Sequence, residues 1–240
     1  MLKSIFIPNK INSYAWVNLL FIIFLVAVDK IEAHAVLFGY FLETIIIGVF
    51  NIFKMYLCRN TYSEDIEKND SIWFLIPFFV VHYGGFVAIQ SIFLFAIFSI
   101  SGNGFIKEPF NLIDNFNALL QLEGMLLMLL VLTVSQLLKF YFDFLKTEKF
   151  HQFTANEVMF KPYLRIFIQQ FVVIIGSFFM MLSSAPVFAA ILLILFRFVV
   201  DFLLVAIREN SRVLDYLVDK LYDGKVDKPI IRKQLILFSE

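Results

Sequence analysis

Six apolar runs, each close to the length a helix needs to cross a bilayer, constrain this chain more than any other feature. They lie at about 13–28, 33–57, 72–100, 118–142, 166–182 and 187–207. A hydrocarbon core of about 30 Å takes about 20 helical residues, whereas a closed barrel would show short strands of alternating polarity. Hydrophobic residues make up 60% of the chain and charged residues 17%, against roughly 45–50% and about 25% in soluble domains. The sequence therefore predicts an all-α, polytopic integral membrane protein, with the lipid bilayer as its first partner. A six-helix transmembrane domain is expected over 1–207 and a cytoplasmic tail over 208–240. No internal repeat or low-complexity tract divides the chain.

The first run is read as a retained span. Ala33-His34-Ala35 has the small-x-small form of a signal-peptidase site, but Asp29, Lys30 and Glu32 separate it from the apolar run, which is the wrong flank for a cleaved leader. Between the fifth and sixth runs only Ser183-Ser184-Ala185-Pro186 intervene, so an antiparallel hairpin is expected there. The segment 101–116, with Gly102, Gly104 and Pro109, reads as the longest irregular connection and a place for a lid. A single cysteine, Cys58, excludes an internal disulfide or a multi-cysteine zinc site and reads as a structural thiol.

Charge placement sets the expected orientation. Of the 20 Lys and Arg, all but Lys30, Lys107 and the mid-span Arg197 fall with the N-terminus, the second and fourth connections and the tail, counted with the span ends that abut them. The positive-inside rule then puts both termini in the cytoplasm. In the tail, Val213, Leu217 and Leu221 recur every four residues with Leu214, Val218 and Tyr222 beside them, opposite Arg212, Asp215, Asp219 and Lys220. That pattern predicts an amphipathic helix, packed against the bundle or against a second copy in a homo-oligomer. The closing IIRKQLILFSE is too short to span.

Glu43 is the polar residue hardest to accommodate, since an ionisable group at mid-membrane depth costs ~2.5–3.5 kcal/mol on insertion scales and usually faces other helices. It stands ten residues into the second run, and His82 stands ten residues into the oppositely directed third, each about 15 Å deep at 1.5 Å per residue. Arg197 lies at a similar depth in the sixth run, and Asp201 follows at i+4, a spacing that suits an ion pair. His82 and Arg197 are thus the first candidate partners of Glu43. Asn51, Lys54 and Arg165 follow toward the cytoplasmic ends, while Gly84, Gly85 and Ser91 are expected to let another helix close on His82.

Several short motifs recur together: Tyr40 with Glu43, Gly48, Asn51 and Lys54; His82-Tyr83-Gly84 with Phe86; Pro162-Tyr163 with Arg165 and Gly176; and Asp201. In this combination the chain resembles an uncharacterised family of prokaryotic integral membrane proteins, a domain of unknown function. The resemblance implies a multi-pass protein of the prokaryotic cytoplasmic (inner) membrane. It also implies that histidine is common at the positions held here by Gln90 and Gln170. Glutamine hydrogen bonds but is a poor transition-metal ligand, which moves this chain away from a metal site and toward a hydrogen-bonded pocket.

The candidate set for ligand binding or proton relay is therefore Glu43, Asn51, His82, Gln90, Arg165, Gln170, Arg197 and Asp201. No catalytic residue, metal or cofactor is assigned, because nucleotide-loop, zinc-protease and nucleophile-elbow motifs are missing. A basic stripe with interleaved aromatics for nucleic acid is missing too. Three functions stand at this point. The first is binding of a small polar ligand or ion, or relay of protons, by the cluster. The second is an intramembrane metalloenzyme acting on lipid or peptide through Glu43, His82 and Asp201. The third is a non-enzymatic membrane partner subunit docking through its tail.

Overall fold

The structure is a computed structural model that describes residues 7, 13–61, 71–100, 106–182, 186–209 and 211–239. Regular structure among the described residues is entirely helical: α1 (Ser13–Ala27), α2 (Ala33–Leu57), α3 (Ile72–Ile100), α4 (Leu112–Leu120), α5 (Met125–Lys139), α6 (Ala155–Leu182), α7 (Pro186–Glu209), α8 (Ser211–Leu221) and α9 (Lys228–Ser239). A π-helical turn, Phe140–Leu145, prolongs α5. Among the described residues, five helices are long and apolar enough to cross a membrane: α2, α3, α5 with its prolongation, α6 and α7. The run read as the first span forms α1, an apolar helix shorter than these five.

The core is organised around α2, the most enclosed of the five, which packs against α3, α5, α6 and α7. Ring contacts fix the directions of its neighbours. Phe38 near the start of α2 meets Phe98 near the end of α3, with centroids 4.8 Å apart. Trp16 at the start of α1 packs edge-on against Phe198 and Phe202 in the second half of α7, at 4.8 and 5.8 Å. Close approach depends on three glycines. A Cβ on Gly39 would lie 2.5 Å from Met128 Cγ, one on Gly48 2.5 Å from Tyr83 Cε1, and one on Gly176 2.8 Å from a Leu193 methyl. Small residues let helices meet at such distances. Gly84 and Gly85 do not serve this way, because nothing lies within 4 Å of a Cβ built on either.

The fourth run is not one helix from 118. It divides into α4 and α5 at a break around Gly124, whose φ of +78° belongs to the left-handed region. A side chain there would strike the carbonyl oxygen of Lys30 and the Ile31 backbone, so only glycine fits. The facing turn ends α1 in a Schellman arrangement: Asp29 adopts φ 54°, Lys30 N–H donates to Leu25 O and Asp29 N–H to Val26 O. Glu32 N–H donates to Glu123 O at 3.2 Å, joining the two turns. Gln121 and Glu123 sit in this break.

The fifth run begins 11 residues earlier than its hydropathy indicates, because Thr154 and Glu157 form a capping box at the start of α6. Thr154 N–H donates to Glu157 Oε2 at 2.9 Å, and Glu157 N–H donates to Thr154 Oγ1 at 3.3 Å. Within the connection read as a lid, Gly102 and Gly104 lie outside the described residues, and Leu112 to Phe116 belong to α4. Cys58 is fully buried at the end of α2.

The tail folds back on the bundle. Leu214 and Val218 of α8 are buried while Asp215 and Asp219 are exposed, and α9 packs against α6, α7 and α8. Lys228 pairs with Asp219 and Lys233 with Glu157, each at 2.8 Å, and Arg232 pairs with Asp215.

Candidate functional site

α2, α5 and α7 begin at the same end of the bundle, so equal counts along them mean equal height. Glu43 stands ten residues into α2, Gln136 and Arg197 eleven residues into α5 and α7, about 15–17 Å at 1.5 Å per residue. The three side chains meet there. Arg197 Nη2 donates to Glu43 Oε2 at 2.7 Å, and Gln136 Nε2 donates to Glu43 Oε1 at 2.6 Å. Arg197 Nε donates to Asp201 Oδ2 at 3.2 Å, one turn further along α7. The guanidinium carbon lies 5.4 Å from the centroid of the Tyr40 ring, within reach of a cation–π contact. Glu43, Gln136 and Arg197 are all buried.

This arrangement satisfies both oxygens of Glu43 and sets one guanidinium between two carboxylates. Burying such charges is tolerable only when each is paired and hydrogen bonded. Beside the ion pair lies a small cavity of about 20 Å³, bounded by Asn18, Tyr40, Glu43, Ser135, Lys139 and Asp201, among others. The volume suits about one water molecule. Asn18 Oδ1 is buried next to it with no hydrogen-bond partner among the described residues, an acceptor that a water would satisfy.

His82 is not among these groups. It is exposed on α3, where its Nδ1 lies 2.8 Å from the Tyr163 hydroxyl and its ring stacks on Phe78 at 5.5 Å. Its height matches the sequence estimate, but one residue turns a helix by about 100°, and the residue facing α2 is Tyr83. The Tyr83 hydroxyl donates to Thr44 O at 2.6 Å, on the residue that follows Glu43. Glu43, His82 and Asp201 therefore do not converge as the metalloenzyme reading requires. Among the described residues, no group of three or more His, Cys, Asp and Glu side chains is placed to hold a metal ion.

The remaining candidates are dispersed. Asn51 is buried two turns below Glu43 on α2, with no partner for Nδ2; Gln90 Oε1 and Gln170 Nε2 are likewise buried without partners among the described residues. None of the three lines the cavity beside Arg197. The Arg165 side chain lies outside the described residues. Lys54 is half-buried, its ammonium 5.5 Å from the Phe144 ring centroid. Sequence reasoning missed Gln136, Asn18, Ser135 and Lys139. Counted from 118, Gln136 falls well past the height of Glu43, and only the break at Gly124 restores it to that height.

A model of the family of unknown function DUF6498 matches residues 1–215. The chain belongs to that family. No match was found among curated proteins or solved structures. The DUF6498 match takes in Asn18, Glu43, Gln136, Arg197 and Asp201 and stops within α8, so that α9 lies beyond it.

Proposed function

We propose that this DUF6498 protein is a multi-pass protein of the prokaryotic cytoplasmic membrane, with six spans and both termini inside. Five helices meet the length and hydropathy of spans, and α1 supports the sixth. One end of α1 packs on the second half of α7, while its other end turns at the level of the α4–α5 break. Lys30 and Lys107 stand alone on the side assigned to the exterior. A reporter fused after Lys107 tests this topology, and cytoplasmic behaviour at that point overturns it.

Within that bundle, the Glu43–Arg197–Asp201 centre relays protons through one bound water. The cavity carries this reading: about 20 Å³ beside two carboxylates admits a water and excludes an organic ligand. Carboxyl groups inside spans are commonly the stations of proton pathways. The test uses proteoliposomes loaded with a pH-sensitive dye under a potassium diffusion potential. Protein-dependent acidification is expected, falling toward the protein-free level in Glu43→Gln and Asp201→Asn. Wild-type vesicles no faster than protein-free ones would overturn the proposal.

A further inference from the structure

A second, larger cavity lies on the other side of α2. It is a groove of about 310 Å³ between α2 and α3, with Leu112 and Phe116 of α4 at one end. Its α3 wall runs from Phe79 to Ser91, about 18 Å at 1.5 Å per residue. Its lip is open at Gly84, where a Cβ would meet nothing within 4 Å. Its walls are apolar except for two hydroxyls, and both of these are engaged. Tyr83 donates to Thr44 O at 2.6 Å and Ser91 to Val87 O at 2.8 Å. A polar occupant would exchange its hydrogen bonds with water for none here, at a cost of a few kcal/mol per group.

We infer that this groove binds one acyl chain of a membrane lipid, an inference that rests on the reading of α2 and α3 as spans. Shape selects this occupant. An α-helix with its side chains is about 10–12 Å across, so a helix of a second copy lays only a side-chain ridge over the open lip and does not itself fill the groove's length. An extended hydrocarbon chain does. Ile45, Val49 and Val80 at the mouth are exposed, so the chain enters sideways from the bilayer and lies along α3, beneath α4. The occupant touches Tyr83, whose hydroxyl holds the peptide next to Glu43. The lipid site and the ion-pair centre are thus on opposite sides of one stretch of α2.

The full chain is reconstituted in phosphatidylcholine vesicles doped with a phosphatidylcholine that carries a mid-chain diazirine, irradiated, digested and mapped by mass spectrometry. Label is expected to concentrate on Val80 to Ala88 and on Ile45 to Ile52, above its density on exposed Phe167, Phe171 and Phe188. Gly84→Phe and Ala88→Phe, which place a ring in the groove, should lower the groove label and leave the reference label unchanged. Groove label no denser than the reference in wild type overturns the inference, whether or not the variants fold. Undiminished groove label in a folded variant overturns it as well. Absence of label from every span overturns the membrane reading, and this inference with it.

Discussion

Arg197 and Glu43, 154 residues apart in sequence, are joined by a 2.7 Å ion pair halfway along the bundle, and both are buried. Arg197 also holds Asp201, so removing the guanidinium takes the countercharge from two carboxylates, whereas neutralising Glu43 leaves the guanidinium paired with Asp201. Breaking a buried pair costs about 3–5 kcal/mol when a charge is left uncompensated, and losing a buried hydrogen bond costs about 1–3 kcal/mol. Arg197→Met is therefore expected to destabilise by about 3–5 kcal/mol and Glu43→Gln by about 1–3 kcal/mol. The double variant should lose less than the sum. Denaturant unfolding in detergent measures the cycle, and strict additivity would show the two groups to be uncoupled.

The ion pairs of α9 obey the opposite rule. Lys233 and Glu157 are 2.8 Å apart with side chains 57% and 23% exposed, where screening and side-chain entropy leave about 0–1 kcal/mol. Lys233→Ala should lower stability by less than about 1 kcal/mol, and the loss should shrink further at high salt. Thermal unfolding at two ionic strengths checks this. A loss as large as that of Arg197→Met would mean that α9 is an integral part of the core.

Two glycines on facing helices should respond in opposite directions. At Gly48 a methyl would press on the Tyr83 ring, which the hydrogen bond to Thr44 O holds in place; overpacking of this kind costs about 1–3 kcal/mol. At Gly84 the space is empty, and alanine is the better helix former by about 1 kcal/mol. Gly48→Ala should lower the melting temperature and Gly84→Ala should leave it unchanged or raise it. Equal losses would indicate that α3 is closed on both sides.

The bounds of α2 and α3 were legible because charged or polar residues terminate each apolar run, and a count along a helix gives height. That count brought Glu43, Arg197 and Asp201 to neighbouring heights, and the i, i+4 spacing of the last two put them on one side of α7. Height alone does not give azimuth, and this is how His82 was favoured over its neighbour Tyr83. Gln136 was hidden for a different reason. The break that fixes its height exists because Gly124 packs on the Lys30 carbonyl, a contact 94 residues distant that no local pattern announces. The start of α6 was available in the sequence, since Thr154-Ala155-Asn156-Glu157 is a capping box, but hydropathy drew attention eleven residues past it.

The turn that joins α1 to α2 carries a pH dependence outside the long apolar helices. Burial, and then the nearby Glu123 carboxylate, hold the Glu32 carboxyl above its ordinary value of 4.5. A raised acid favours the fold in its protonated form, so its contribution is full below the ordinary value and is lost as pH rises through the raised one. Above that range the charge on Glu32 opposes the junction that Glu32 N–H makes with Glu123 O. Glu32→Gln keeps the backbone bond and removes the charge, so its melting temperature should exceed that of wild type at neutral pH, with the gap closing toward pH 4. Glu123→Gln removes the repulsion but not the burial of Glu32, and should give a smaller gain over the same range. A Glu32→Gln variant less stable than wild type at neutral pH would mean that the carboxylate makes a favourable contact in its ionised form.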